Sequence, residues 1–267
     1  MPKTIAKPNI KPFINWVGGK RKLADKLLSY IPSYLNNYYE PFLGGGALFF
    51  AVKDKFKKCF LSDINHELVT SYNAVKKNPS EVAKLYSSYT ENHSKEYYYK
   101  IRNNDCNNNP TAITARFLYL NRYAFKGIYR INKRGDFASS FSTKKINNDN
   151  LEERLKQCSS FLSDVPVYTI DFSFIEPQKD DFVYFDPPYH KVGERFYTRL
   201  PFNEAEQTRL KDFATELDSK TIKFMISNSD TPFIRNLYKN YNINTVEIKY
   251  LISGQTKTST EVVVTNY

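Results

Sequence analysis

Apolar and polar positions along this chain fall into two textures, one strand-like and one helical. Residues 21–31 (RKLADKLLSYI) carry apolar positions at helical spacing and predict a helix. Residues 38–46 read as a strand running into a glycine turn, and residues 47–52 as the start of a helix. Residues 58–63 (KCFLSD) read as a short strand ending in a carboxylate. A strand, loop, helix, strand unit of this kind holds nucleotide-like cofactors in open parallel sheets.

The pattern changes near residue 71. Asn78-Pro79-Ser80-Glu81 offers an N-cap, a proline at the first helical position and an acid three residues after the cap. Helical segments are predicted up to residue 102 and again over 111–121. Residues 121–145 are rich in Arg, Lys, Asn, Ser and aromatics and read as loop or ribbon. Strand-like runs return at 165–171, 182–186 and 223–227, and residues 241–250 and 261–267 predict a closing antiparallel pair. The chain therefore reads as one α/β domain built from residues 1–70 and 146–267, interrupted by a mostly helical insertion over 71–145.

A chain of 267 residues can bury a sizeable core, and 41% apolar residues exclude global disorder. No apolar run approaches the roughly 20 residues that cross a bilayer, and no apolar segment follows the basic amino terminus, so neither a membrane span nor a signal peptide is expected. Cys59, Cys106, Cys158, His66, His93 and His190 are scattered without metal-ligand spacing, which predicts no metal site and a reducing, cytoplasmic setting. Thirty-nine Lys and Arg against 28 Asp and Glu give a net charge of +11, and a basic surface favours a polyanion. An AT-rich genome would also raise Lys, Asn, Tyr and Ile, so charge alone decides nothing.

The sharpest chemical signal is Asp186-Pro187-Pro188-Tyr189, placed after the apolar run Phe182-Val183-Tyr184-Phe185. Proline cannot continue a ladder, so the strand ends here with the Pro187 carbonyl as an acceptor. A carboxylate beside that carbonyl offers two acceptors for the two hydrogens of one NH₂ group, and the tyrosine ring offers a stacking face for a planar base. Acceptors on both hydrogens favour a pyramidal nitrogen, whose lone pair can attack a sulfonium methyl. A second signal is Glu40-Pro41-Phe42-Leu43-Gly44-Gly45-Gly46, with Asp63 ending the next strand, where an acid can hold ribose hydroxyls. A third is residues 12–20, which hold the only tryptophan, Trp16, and end Gly18-Gly19-Lys20; the full phosphate-loop spacing is missing, which argues against an ATPase.

In this order the segments FINWVGGKRKL, YEPFLGGGALFF, LSDIN, FLYLNRYAFKGIYRINKRGDF, DFVYFDPPY, MISNS and EVVVTNY resemble the Dam-type (DpnM-like) DNA adenine-N6 methyltransferases in their α arrangement of motifs. The resemblance covers nearly the whole chain. It implies a Rossmann-like S-adenosylmethionine-dependent methyltransferase sheet with an inserted DNA-recognition domain. It implies that Trp16, Lys20, Glu40, Phe42, Gly44, Gly46, Asp63, Asp171 and Phe172 line the S-adenosylmethionine site. Asp186, Pro187, Pro188 and Tyr189 would then take an adenine flipped out of double-stranded DNA. On the DNA-reading segment, Phe125 would wedge into the base stack, Ile128 would touch a base and Arg130 would read a guanine edge, with Asn15, Arg122, Lys126 and Ser140 beside them.

The DNA-reading pieces depart from the GATC pattern. Asn15 stands where GATC enzymes carry lysine, Lys126 where they carry asparagine, and Phe137-Ala138-Ser139-Ser140 replaces the usual FNVP. A GATC-like site is expected, with a cognate restriction endonuclease as a partner the sequence leaves open. Cytosine-N4 transfer, RNA or protein-glutamine methylation, and a catalytically silent DNA-binding protein are the competing readings; intact Asp186, Pro187, Pro188 and Tyr189 argue against the last.

Overall fold

The run Phe182-Val183-Tyr184-Phe185 is fully buried in the computed structural model, which describes residues 10–16, 20, 23–132, 134–143, 150–191, 201–252 and 255–267. It forms the centre of a seven-stranded sheet whose strands are β1 (Asn37–Glu40), β2 (Lys58–Asp63), β3 (Val167–Thr169), β4 (Phe182–Phe185), β5 (Lys223–Ser229), β6 (Asn242–Ile252) and β7 (Gln255–Thr265). Their order is β3-β2-β1-β4-β5-β7-β6. The first five strands pair in parallel; β7 is antiparallel to both β5 and β6. A strand covered on both faces needs an unbroken apolar run, which β4 supplies.

Strand order reverses at β1: the chain builds outward to β2 and β3, then returns to lay β4 on the other side of β1. Open parallel sheets bind ligands outside the carboxyl ends of the strands at such a switch. Here those ends carry acids. Glu40 ends β1, Asp63 ends β2, Asp171 lies two residues beyond β3, and Asp186 follows β4 directly.

The helices are α1 (Ala24–Leu28), α2 (Phe49–Val52), α3 (His66–Lys77), α4 (Pro79–Glu91), α5 (Lys95–Arg102), α6 (Pro110–Tyr123), α7 (Leu151–Leu162), α8 (Glu204–Ser219) and α9 (Pro232–Leu237). Side-chain caps start most of the longer ones: Asn65, Ser94, Asn109, Asn150 and Asn203 each accept a backbone N–H of the first turn. Asn78 does not behave as its sequence context implies. Pro79 stands at the first position of α4, but the Asn78 side chain makes no capping bond, and its N–H closes α3 on the Ala74 carbonyl. The helix expected over 21–31 is confined to Ala24–Leu28, where Ala24 and Leu27 face the core. α3, α7, α8 and α9 were not expected from the pattern.

Of the residues expected to be loop or ribbon, 121–132 and 134–143 finish α6 and then form a ribbon held by antiparallel bridges Ala124↔Phe141 and Ile131↔Phe137. Gly18, Gly19, Lys133 and residues 144–145 lie outside the described residues. One apolar cluster runs without a break from Tyr38, Leu61 and Phe182 of the sheet to Val82, Tyr98 and Tyr119 of α4, α5 and α6. A second covers the opposite side of the sheet, joining Val183 and Phe185 to Leu210 and Leu217 of α8. Among the described residues no helix is long and apolar enough to cross a membrane.

Candidate active site

All the expected catalytic and cofactor residues open onto one cavity of about 1220 Å³ at the carboxyl ends of the parallel strands. That exceeds the range of roughly 300–1,000 Å³ usual for one small ligand. Its floor is the turn after β1. Gly44 and Gly46 have φ of +47° and +63°, a region L side chains avoid. A Cβ on Gly44 would lie 2.8 Å from Trp16 Cδ1, so the turn admits glycine because the indole lies against it. Tyr72 Oη donates to the Gly44 carbonyl at 3.2 Å and closes the turn from behind.

Asp63 holds the same turn: its carboxylate accepts from Gly44 N–H at 3.1 Å and from Asn65 N–H at 2.9 Å. Burial raises its pKa to about 6, those backbone bonds notwithstanding. Glu40 is 3% exposed and accepts from Tyr38 Oη at 2.8 Å. Desolvation pushes it up to about 8; the Tyr38 bond opposes this and nearby Asp186 adds to it. A buried carboxyl beside the cavity is suited to a cationic ligand, whose charge would favour its ionised form.

Asp171 behaves oppositely. Burial would raise it, but two bonds from Arg209 at 2.7 and 2.9 Å, with Ser173, bring it down to about 2. The Arg209 guanidinium also lies 4.0 Å over the Phe172 ring, and Phe172 stacks on Phe42 at 5.3 Å. These rings, with Phe202, form an apolar slot bounded by fixed charge, suited to a planar heterocycle.

Asp186 lines the same cavity. Lys20 Nζ pairs with its buried Oδ1 at 2.8 Å, and a carboxylate, with about four lone-pair sites, can accept a further donor beside that pair. Desolvation raises the Asp186 pKa against the pull of Lys20. Tyr189 Oη donates to Glu261 of β7 at 2.7 Å, and Lys20 Nζ lies 4.4 Å from the Tyr189 ring centre. The backbone here is set by side chains: Gln207 Nε2 donates to the Pro188 carbonyl at 2.8 Å, and Asn228 accepts from His190 N–H at 3.2 Å. Asn228 in turn donates to Gln207 at 2.9 Å, and Ser229 Oγ donates to the His190 carbonyl at 2.6 Å. Among the described residues no cluster of His, Cys, Asp or Glu could hold a metal ion.

None of the expected DNA-reading residues lines this cavity, whereas Tyr129 and Ile131 of the same ribbon do. Phe125 is 55% exposed, Lys126, Arg130, Ser140 and Asn15 are exposed, and Ile128 and Arg122 are half-buried. Lys126 has φ of +57°, a conformation asparagine adopts more readily than lysine, and its Nζ lies 5.3 Å from the Phe125 ring centre. Sequence reasoning missed Tyr129, Phe202, Arg209 and Glu261. Only Tyr129, in register between Ile128 and Arg130, carried a local signal.

Residues 16–252 match the family model for the D12 class N6 adenine-specific DNA methyltransferases. The chain is similar to the type II methyltransferase M1.LlaDCHI of Lactococcus lactis subsp. cremoris, at 34% identity over 98% of this chain and 97% of that one. It is 35% identical to the type II methyltransferase M.MjaIII of Methanocaldococcus jannaschii, over 91% of this chain and 93% of the relative. It is 31% identical to a DNA adenine methylase of Haemophilus influenzae, over 94% and 91%.

Proposed function

Because the chain belongs to the D12 class of N6 adenine-specific DNA methyltransferases, an enzyme family acting on DNA, we propose that its cavity takes S-adenosylmethionine and a flipped adenine together. When bound, that cofactor supplies an electrophilic sulfonium methyl. The observation that carries the reading is the opening of Asp186 and of the turn from Phe42 to Gly46 onto the same cavity. Membership of an adenine-specific class sets aside cytosine, RNA and protein-glutamine as targets.

In this reading Asp63 and Glu40 hold the ribose and methionine parts of the cofactor, with Trp16 and Lys20 beside them. Phe42, Phe172 and Asp171 hold its adenine. The free acceptor capacity of Asp186, with the Pro187 carbonyl, takes the two hydrogens of the target amine. Tyr189 stacks on the base, and Pro188 fixes the turn through Gln207. Once the methyl is transferred, the amine has one proton to lose, and Asp186 is the adjacent base.

Phe125, Lys126, Ile128, Arg130 and Ser140 on the ribbon, with Arg122 and Asn15, face the duplex. Residues 71–145 act as the recognition insertion and residues 1–70 with 146–267 as the catalytic part. The target is GATC-like, and a cognate endonuclease is the natural partner if the enzyme protects a restriction site. Labelled methyl transfer to duplexes carrying each base around one adenine tests base and context together. Transfer to cytosine, or none to any duplex, would overturn the proposal.

A further inference from the structure

Three segments of the chain meet in one stack at the cavity wall. The glycine turn lies on one side of Trp16, where a Cβ on Gly45 would sit 3.0 Å from Trp16 Cβ. Tyr129 also packs against it, stacked on the indole with ring centres 5.2 Å apart and planes at 27°. Tyr129 belongs to the ribbon. It and Ile131 are 3% and 7% exposed and line the cavity, whereas Arg130 between them is exposed and Ile128 half-buried. Extended chain alternates its side chains in this way. One stretch of backbone therefore presents Tyr129 to the cofactor cavity and Arg130 to solvent.

The ribbon and the Trp16 segment are also tied at the ribbon's root. Asn121, 2% exposed, takes both backbone groups of Asn15: Asn15 N–H donates to Oδ1 at 3.2 Å and Nδ2 donates to the Asn15 carbonyl at 2.8 Å. Tyr129 Oη makes a long 3.4 Å bond to Glu67, which also pairs with the Arg116 guanidinium at 2.8 Å.

We propose that Tyr129 is a positioning residue that couples the cofactor cavity to the DNA-reading ribbon, so that cofactor and cognate duplex each tighten the other's binding. This rests on the functional reading above. A ligand packed against the Trp16–Tyr129 stack restricts the ribbon at the residue flanked by Ile128 and Arg130. The ordering that DNA binding requires is then already made. Linkage demands that the two ligands strengthen each other by the same factor.

The experiment measures the dissociation constant of S-adenosylhomocysteine with and without the duplex that is methylated fastest, and of that duplex with and without S-adenosylhomocysteine. The full chain should show one common factor of about tenfold in both directions, within the usual range of allosteric couplings. Tyr129→Phe keeps the stack and should keep the factor. Tyr129→Ala, and Tyr129→Leu should the alanine variant fold poorly, should bring it toward one whatever they do to either affinity alone. A factor of one in the wild type, or an unchanged factor in both truncations, overturns the coupling. A chain that binds neither ligand overturns the functional reading beneath it.

Discussion

Tyr189 Oη donates a 2.7 Å hydrogen bond to Glu261, so the last residue of the catalytic motif is tied to an antiparallel strand outside the parallel half of the sheet. The bond anchors the ring's outer end and so sets its tilt. Tyr189→Phe keeps the stacking surface and loses that restraint. It should lower the single-turnover methylation rate roughly tenfold and strand the half-buried Glu261, costing about 1–3 kcal/mol of stability. If Glu261 acts through the phenol, Glu261→Gln in the Tyr189→Phe background should change the rate little further. Additive rate losses in the double variant would disprove that route.

Asp186→Ala should abolish methyl transfer while leaving S-adenosylhomocysteine affinity within about tenfold, or ~1.4 kcal/mol. The carboxylate pairs with Lys20, which also lies over the Tyr189 ring, whereas the glycine turn is held by Asp63. Calorimetry and single-turnover assay of one preparation separate the two effects. Wild-type turnover in the variant would remove Asp186 from the mechanism.

Glu40 should make the ligand-free protein less stable as pH rises. Its pKa is lifted by burial from the ordinary 4.5 to about 8. Between those values the folded state holds a proton the unfolded state has lost, so the stabilisation is full below about 4.5 and gone as pH passes about 8. Asp63, raised to about 6, acts in the same direction over a lower window. Thermal midpoints measured from acidic to mildly alkaline pH should fall, and Glu40→Gln should flatten the upper part of the decline. Parallel curves for both proteins would mean that Glu40 is ionised throughout.

Much of this site could be read from local sequence because its parts end strands: Glu40, Asp63 and Asp186 each sit where an apolar run stops. The unread parts are tertiary. Arg209 reaches Asp171 from α8, and Glu261 reaches Tyr189 from β7, with no spacing rule linking either pair. α6 illustrates the limit for helices. It is buried on nearly every face, so its apolar positions lose the one-sided period that marks an amphipathic helix, and the helix expected over 111–121 spans Pro110–Tyr123. The Asn78 motif shows the converse, a capping pattern whose bond is not made because the residue also closes the preceding helix.

Arg130 and Asn15 decide specificity in the proposed reading. Arg130→Ala should cost about 1–3 kcal/mol on the cognate site and relax preference at one base pair only. If Arg130 instead touches phosphate, binding should weaken on every sequence and the salt slope should fall by about one unit. Asn15 lacks the charge and reach of the lysine that GATC enzymes carry, so discrimination at the first base should be weak or shifted. Rates on duplexes bearing all four bases at each flanking position would decide it. A strict guanine requirement at the first position would show that Asn15 is not the discriminating group.

If the ribbon reads DNA as proposed, the unbroken apolar cluster from Phe182 through Tyr98 to Tyr119 gives recognition a ruler. Where a reading head hangs on a flexible linker, it can grip its bases at several distances from the reaction centre, and the choice of target then depends on time spent searching. Here the helices that carry the ribbon solidify together with the sheet that carries Asp186. On the proposed reading, the separation between the base pair that is read and the adenine that is modified is thereby a dimension of the folded core. A duplex with one base pair inserted between the two would meet a protein that cannot stretch, and it would be rejected by length even with every contacted base correct.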